Sequence, residues 1–121
     1  MPNDSFAIPP ALQPLASSTT LASGLRLHHY TSGDQDSPPL VLVHGLGDEA
    51  DTWRHVIAPL ATGFHVIAPD LPGFGRSARP QTAYTLAFFA RALAELLDVH
   101  GVAGATLVGS SLGAAVVQRL A

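Results

Sequence analysis

An α/β domain with a mostly parallel sheet and flanking helices is the fold class the sequence predicts, on three observations. The runs Leu40-Val41-Leu42-Val43, His65-Val66-Ile67-Ala68 and Ala105-Thr106-Leu107-Val108 are nearly continuous in apolar and β-branched residues, the pattern of strands buried on both faces. Each is followed by a segment that can form a helix, so strand and helix alternate and the connections suit right-handed parallel crossovers. Glycine-rich turns, at Gly45 and Gly47, at Gly73 and Gly75, and at Gly109 and Gly113, close each run on its carboxyl side.

Taken in order, residues 1–20 hold Pro2, Pro9, Pro10 and Pro14 among serines and threonines, a composition that predicts a flexible N-terminal arm. The folded unit is expected over residues 21–121. Residues 21–30 carry a turn glycine, Gly24, and partial alternation, which predicts two short antiparallel strands. A polar loop over 31–39 leads to the first buried strand. Asp51 is placed to cap a helix running to Leu60, with Pro59 ending or kinking its last turn. The second buried strand follows at 65–68, then a turn-rich segment over 69–75. Residues 85–98 form the strongest predicted helix: Leu86, Phe89, Ala90, Leu93, Leu96 and Leu97 recur at three and four residues, and Arg91, Glu95 and Asp98 take the other face. Gly101 and Gly104 break it before the third buried strand.

Composition excludes several functions. Among 121 residues, 47% are hydrophobic and 12% charged, which fits one globular unit with a core. The net charge is −3 and there is no lysine, so no basic patch could neutralise a nucleic-acid backbone and no Walker-type phosphate loop is present. The absence of cysteine excludes disulfides, thiolate metal sites and a cysteine nucleophile. No positively charged leader and no apolar run long enough to span a membrane is visible, so a cytoplasmic location is the expectation.

The chemistry gathers at Gly109-Ser110-Ser111-Leu112-Gly113. A Gly-x-Ser-x-Gly turn between a strand and a helix lifts its middle serine, Ser111, out of the sheet on a strained backbone. Acyl transfer also needs donors for a developing oxyanion, and the loop His44-Gly45-Leu46-Gly47 can bend close enough to offer the backbone N–H of Leu46 beside that of Leu112. His44 reads as a tether of this loop and is poorly placed to serve as a general base to Ser111. Asp70-Leu71-Pro72-Gly73-Phe74-Gly75-Arg76-Ser77 reads as a rigid loop at the carboxyl edge of the sheet, with Asp70 structural and not a catalytic acid. His28, His29, His55, His65 and His100 lack metal-ligand spacing, so neither a metal nor a cofactor is expected. Trp53 is expected as a core anchor.

In this order and spacing, these three motifs together resemble the N-terminal half of an α/β-hydrolase-fold enzyme, over residues 21–121. The resemblance implies Ser111 as nucleophile, Leu46 and Leu112 as the oxyanion-hole positions, and His44, Gly45, Gly47, Asp70, Gly73, Gly75, Gly109 and Gly113 as structural support. It points toward esterases, lipases, carbon–carbon bond hydrolases or cofactor-free haloperoxidase-like members, with a small-molecule ester or related acyl substrate. A serine at this position argues against branches that use aspartate.

In that family the triad acid and histidine follow the serine, and neither follows Ser111 here. The expectation is a partial fold, truncated after the elbow helix and inactive by itself. Its last strand would be an uncovered edge, aggregation-prone or met by a C-terminal half or other protein.

Two other readings compete. Gly45-Leu46-Gly47-Asp48-Glu49-Ala50 matches Gly-x-Gly-x-x-Ala, and Asp70 lies where a ribose-binding acid would in a dinucleotide-binding domain. Against it, Asp48, Glu49 and Asp51 crowd the place of the pyrophosphate. The third reading is a non-enzymatic interaction fragment that adds its edge strand to a partner's sheet.

Overall fold

In the computed structural model, which describes residues 7–121, five strands form one mixed sheet: β1 (Ala16–Thr20), β2 (Arg26–Ser32), β3 (Pro39–Val43), β4 (His65–Pro69) and β5 (Thr106–Gly109). Their order is β1-β2-β4-β3-β5. β4, β3 and β5 run parallel, with Leu40 opposite both Val66 and Thr106, while β2 joins β4 and β1 joins β2 antiparallel. The helices are α1 (Ile57–Leu60), α2 (Leu86–Val99) and α3 (Leu112–Leu120).

The strand period of two splits the central residues between two cores. Val41 and Val43 of β3 and Ile67 of β4 face α2 and α3, where they meet Phe89, Leu93, Leu96 and Val116. Leu40, Leu42, Val66 and Ala68 face the opposite way, onto Leu12, Tyr30 and Ile57, with Trp53 packed at the margin as its predicted anchor role requires. Burial on both faces explains why β3 and β4 read as unbroken apolar runs. α2 begins where its sequence says: Thr85 accepts a hydrogen bond from the Phe88 N–H at 3.0 Å, an N-cap.

Three expectations require correction. Residues 7–20, expected within a mobile arm, include a 3₁₀ turn at Pro10–Leu15 and strand β1, and Leu12 is 2% exposed; residues 1–6 lie outside the described residues. β1 is Ala-Ser-Ser-Thr-Thr and carries no apolar alternation, so only its partner β2 makes it a strand. The paired strands expected within 21–30 are instead β1 and β2, joined by the turn around Gly24. The helix expected from Asp51 to Leu60 is a 3₁₀ turn at Ala50–Trp53 followed by the short α1, because the Asp51 carboxylate is drawn into an ion pair with Arg76 at 3.0 Å and does not cap.

Among the described residues β5 pairs with β3 alone and forms one edge of the sheet, with Val108 39% exposed. No helix among the described residues is long and apolar enough to cross a membrane.

The buried histidines of β2 give the fold a pH dependence. His29 is 1% exposed; its ring bonds Thr19 Oγ1 at 2.8 Å and Thr31 Oγ1 at 3.1 Å. Burial first, and then His100 and His28 nearby, push its pKa down to about 4. Below its unfolded value of 6.5 the unfolded chain binds a proton that the folded chain refuses, so stability is full above pH 6.5 and falls as pH drops toward about 4. The urea midpoint is expected to decline across this window with uptake of about one proton on unfolding, and His29→Gln to flatten the slope.

Candidate active site

Three loops leave the carboxyl ends of the parallel strands side by side: residues 44–49 after β3, 70–77 after β4 and the turn at 110–111 after β5. This is the edge where open α/β sheets build their sites. The 830 Å³ cleft lined by Pro38, Pro39, His65 and Gly101 lies at the opposite, amino end, away from these loops.

Ser111 sits at φ 57° and ψ −118°, the one non-glycine residue with positive φ among the described residues. For an L-residue this conformation is strained, by about 1–3 kcal/mol. Close packing around it holds the strain in place. Ser110 N–H donates to Val43 O at 3.1 Å, and Gly113 N–H to Ser110 O at 2.9 Å. A Cβ on Gly113 would stand 2.2 Å from Val43 O, and one on Gly109 would stand 2.4 Å from the Gly113 carbonyl carbon. The elbow glycines therefore let α3 start directly against the end of β3. Ser111 is exposed, and no described side chain hydrogen-bonds its hydroxyl.

Gly45 brings the β3 loop against the serine: a Cβ there would lie 3.1 Å from Ser111 Cβ. Leu46 follows, 73% exposed, and Gly47 turns the chain with φ 73°. Leu46 and Leu112 line one cleft together. His44, fully buried, fixes the loop's base. Its Nε2 accepts from Leu71 N–H at 2.9 Å, which leaves the ring proton on Nδ1 to be donated to Gly45 O at 2.8 Å. Both nitrogens are committed, so His44 is a tether between the β3 and β4 loops and has no nitrogen left for Ser111.

Asp70 is likewise fully buried and structural. Its Oδ1 accepts from Ala50 N–H at 2.7 Å and its Oδ2 from Arg76 N–H at 2.9 Å, and its backbone carbonyl accepts from Ser77 Oγ at 2.7 Å. One carboxylate thereby fastens the β3 loop to the β4 loop. Gly75 at φ 53° lets the backbone pass so close that a Cβ there would meet Asp70 Oδ2 at 2.4 Å. Gly73, at φ 84°, lies against the Tyr84 ring. Asp70→Asn leaves one backbone N–H facing an amide that cannot accept it, and is expected to cost about 2 kcal/mol in urea denaturation.

These bonds overturn the dinucleotide reading. Both Asp70 oxygens are already used, the glycine loop leads into a 3₁₀ turn of four residues and not a long helix, and the surroundings are acidic. Burial first, and then the charges of Asp51, Asp70 and Asp48, push the Glu49 carboxyl above its ordinary range.

Two groupings had no local signature in the sequence. Arg76 reaches from the β4 loop to Asp51 and to the Tyr30 hydroxyl, whose own proton is donated to Asp51. Burial alone would raise the Asp51 carboxyl, but hydrogen bonds from Arg76 and Tyr30 hold it below its usual value. The second is a chain of rings from Tyr84 through Phe89 and Phe74 to His44, with centroids 5.9, 6.1 and 5.5 Å apart. The helical periodicity placed Phe89 on the buried face of α2, but not its meeting with Tyr84 and Phe74. Among the described residues, no group of three or more histidines and carboxylates is arranged to hold a metal.

A family model described as alpha/beta hydrolase fold matches residues 38–121. Among curated proteins, epoxide hydrolase A of Mycobacterium tuberculosis is 41% identical over 98 residues, covering 78% of this chain and 30% of that protein. Lipase 3 of Moraxella sp. is 41% identical over 101 residues, covering 82% and 32%. Among solved structures, epoxide hydrolase A from Mycobacterium thermoresistibile aligns with a TM-score of 0.81 at 36% identity, over 87% of this chain and 34% of that one. A haloalkane dehalogenase variant from Bradyrhizobium elkanii aligns with a TM-score of 0.82 at 30% identity, over 87% and 35%. The chain spans 25% to 32% of the length of the curated relatives it matches.

Proposed function

The chain belongs to the alpha/beta hydrolase fold family, and on that premise we propose that Ser111 is the nucleophile of an acyl-transfer hydrolase acting on a small-molecule ester or a related acyl or carbon–carbon substrate. The observation that carries this reading is the strained backbone of Ser111, at φ 57° on a strand-to-helix turn with its hydroxyl exposed. Stored strain of this kind concentrates at functional positions. Among relatives whose names range over epoxide hydrolase, lipase and haloalkane dehalogenase, a serine at the elbow favours the acyl-enzyme route.

In that route Ser111 Oγ attacks the carbonyl carbon and its proton passes to a base. The backbone N–H groups of Leu46 and Leu112 receive the oxyanion. Collapse expels the alcohol, and water then releases the acid and restores the serine. His44 and Asp70 hold the loops in register and take no proton. Among the described residues no histidine serves as the base, since His44 is tethered and no other histidine hydrogen-bonds Ser111. A serine without a base is a weak nucleophile, so on this reading the 121-residue chain is inactive alone, and a C-terminal half or another protein would meet the β5 edge. A cytoplasmic setting accords with a chain that contains no cysteine.

The test is p-nitrophenyl butyrate turnover by the purified chain, alone and mixed with a C-terminal half that carries the acid and histidine. Turnover is expected only in the mixture. Turnover by the chain alone that Ser111→Ala abolishes would refute the inactivity, and turnover in the mixture that survives Ser111→Ala would refute the role of Ser111.

A further inference from the structure

The loop that carries the Leu46 N–H is anchored at both of its ends to the β4 loop. At the first end His44 Nε2 accepts from Leu71 N–H at 2.9 Å. At the second, Ala50 N–H donates to Asp70 Oδ1 at 2.7 Å, and the next residue, Asp51, is gripped by the Arg76 guanidinium through both carboxylate oxygens, Nη1 to Oδ1 at 3.0 Å and Nη2 to Oδ2 at 3.1 Å. Between these anchors a turn bond runs from Asp48 N–H to Gly45 O at 3.2 Å. Arg76 is itself held from further directions. Nη1 also donates to the hydroxyl of the buried Tyr30 at 3.2 Å, Nη2 donates to the carbonyl of Ala7 at 3.0 Å, and the Arg76 backbone N–H goes to Asp70 Oδ2 at 2.9 Å. Ala7 opens the N-terminal segment, which Leu12 roots in the same core cluster as Tyr30. One guanidinium thus joins the N-terminal segment, β2, the β4 loop and the 3₁₀ turn that ends the β3 loop.

We propose that Arg76 is a positioning residue for the Leu46 oxyanion donor: by orienting Asp51 against Tyr30 and the Ala7 carbonyl, it sets where the β3 loop ends and so where the Leu46 N–H stands relative to Ser111. This rests on Ser111, Leu46 and Leu112 being the reacting centre. The stretch from Gly45 to Glu49 contains two glycines, so its path depends on its anchors. An oxyanion donor works only within hydrogen-bond distance of the developing charge, and slack at Asp51 is therefore felt at Leu46. The grip suits that task. A carboxylate held by two parallel bonds is fixed in orientation as well as in distance, and with the two side chains 12% and 13% exposed the pair is little screened by salt. The N-terminal segment becomes part of the support of the site, because its Ala7 carbonyl helps to keep the guanidinium turned toward Asp51.

Two variants and two readouts test this. Arg76→Gln removes the charge; Arg76→Lys keeps it but cannot form the planar two-bond grip. In the 121-residue chain, amide hydrogen exchange is followed by NMR at Asp48 and Ala50 and, for comparison, along β3 and β4. In Arg76→Gln the Asp48 and Ala50 amides are expected to exchange about 100-fold faster while the strand amides change by less than about tenfold, with Arg76→Lys in between. In the completed protein Arg76→Gln is expected to lower kcat for p-nitrophenyl butyrate about 30-fold with KM within about twofold, and Arg76→Lys to recover part of the loss. Acceleration of all amides together would make Arg76 a general stabiliser and overturn the proposal, as would an unchanged kcat in a variant whose Asp48 and Ala50 amides have loosened. Arg76→Lys decides the matter by itself if Arg76→Gln does not fold, since it leaves a positive charge opposite Asp51. If the exchange pattern is as expected but ester turnover in the completed protein survives Ser111→Ala, the anchor at Asp51 stands and it is the reading of the reacting centre that fails.

Discussion

Ser111→Gly is expected to stabilise the chain while removing ester turnover from the completed protein. At φ 57° and ψ −118° the serine holds a conformation that costs about 1–3 kcal/mol, and glycine adopts positive φ without that penalty. Glycine also enlarges the freedom of the unfolded chain, which takes back about 0.4–1 kcal/mol. The net expectation is a gain of about 1 kcal/mol. Ser111→Ala keeps the Cβ and with it the strain, so its stability should match that of the parent. Both variants lose the hydroxyl, and removal of a serine nucleophile elsewhere has lowered turnover by about 10⁶-fold. Urea midpoints and p-nitrophenyl butyrate rates for the three proteins check the two halves separately. A Ser111→Gly variant less stable than Ser111→Ala would show that the elbow is not strained, and retained turnover in either would show that this hydroxyl is not the nucleophile.

Gly113→Ala carries the largest expected loss of stability. The added Cβ would stand 2.2 Å from Val43 O and 2.6 Å from His44 O, both backbone atoms with no rotamer to escape into. Either α3 lifts away from β3, or the end of β3 shifts and draws the His44 loop with it. Overpacking usually costs about 1–3 kcal/mol where side chains can yield; here they cannot, so a loss of about 4 kcal/mol is expected. For a domain of this size that lowers the melting temperature by roughly 15 °C or more. Gly63→Ala is the control: nothing lies within 4 Å of a Cβ there, and its melting temperature should stay within a few degrees. A Gly113→Ala chain that melts with the parent would mean that the close approach of α3 to β3 is absent in solution.

The parallel heart of the fold was readable because burial on two faces leaves a mark in the sequence. Leu40, Val41, Leu42 and Val43 are all buried, and a strand covered on both sides needs apolar residues at both parities. α2 was readable from its periodicity and its Thr85 cap. β1 was not, since Ala16 to Thr20 present small polar side chains and owe their extended form to hydrogen bonds with β2. The segment after Asp51 departs from its local pattern for the same kind of reason. Asp51 has the local chemistry of a helix cap, but Tyr30 and Arg76, remote in sequence, compete for its carboxylate and win. In the site, the motifs were enough to bring Ser111, Leu46 and Leu112 to one edge of the sheet, while the groups that His44 and Asp70 bond, from Ala50 to Arg76, were set by the fold. The ring chain was out of reach, because it depends on how α2 lies across the β4 loop.

The strand order has a kinetic consequence. β3 sits between β4 and β5, so its second edge stays empty until Thr106 to Gly109 arrive from far along the chain to meet Leu40 to Val43. Pairings between such distant residues form slowly, since the loop entropy is lost before the contacts repay it. β5 and α3 therefore dock after β4 has paired with β3, and the bent backbone at Ser111 is assembled only when they do. Until then the half-built sheet shows the ribosome's surroundings a bare row of β3 amides and carbonyls, and the speed with which β5 seals it sets how long the nascent chain is open to misassociation.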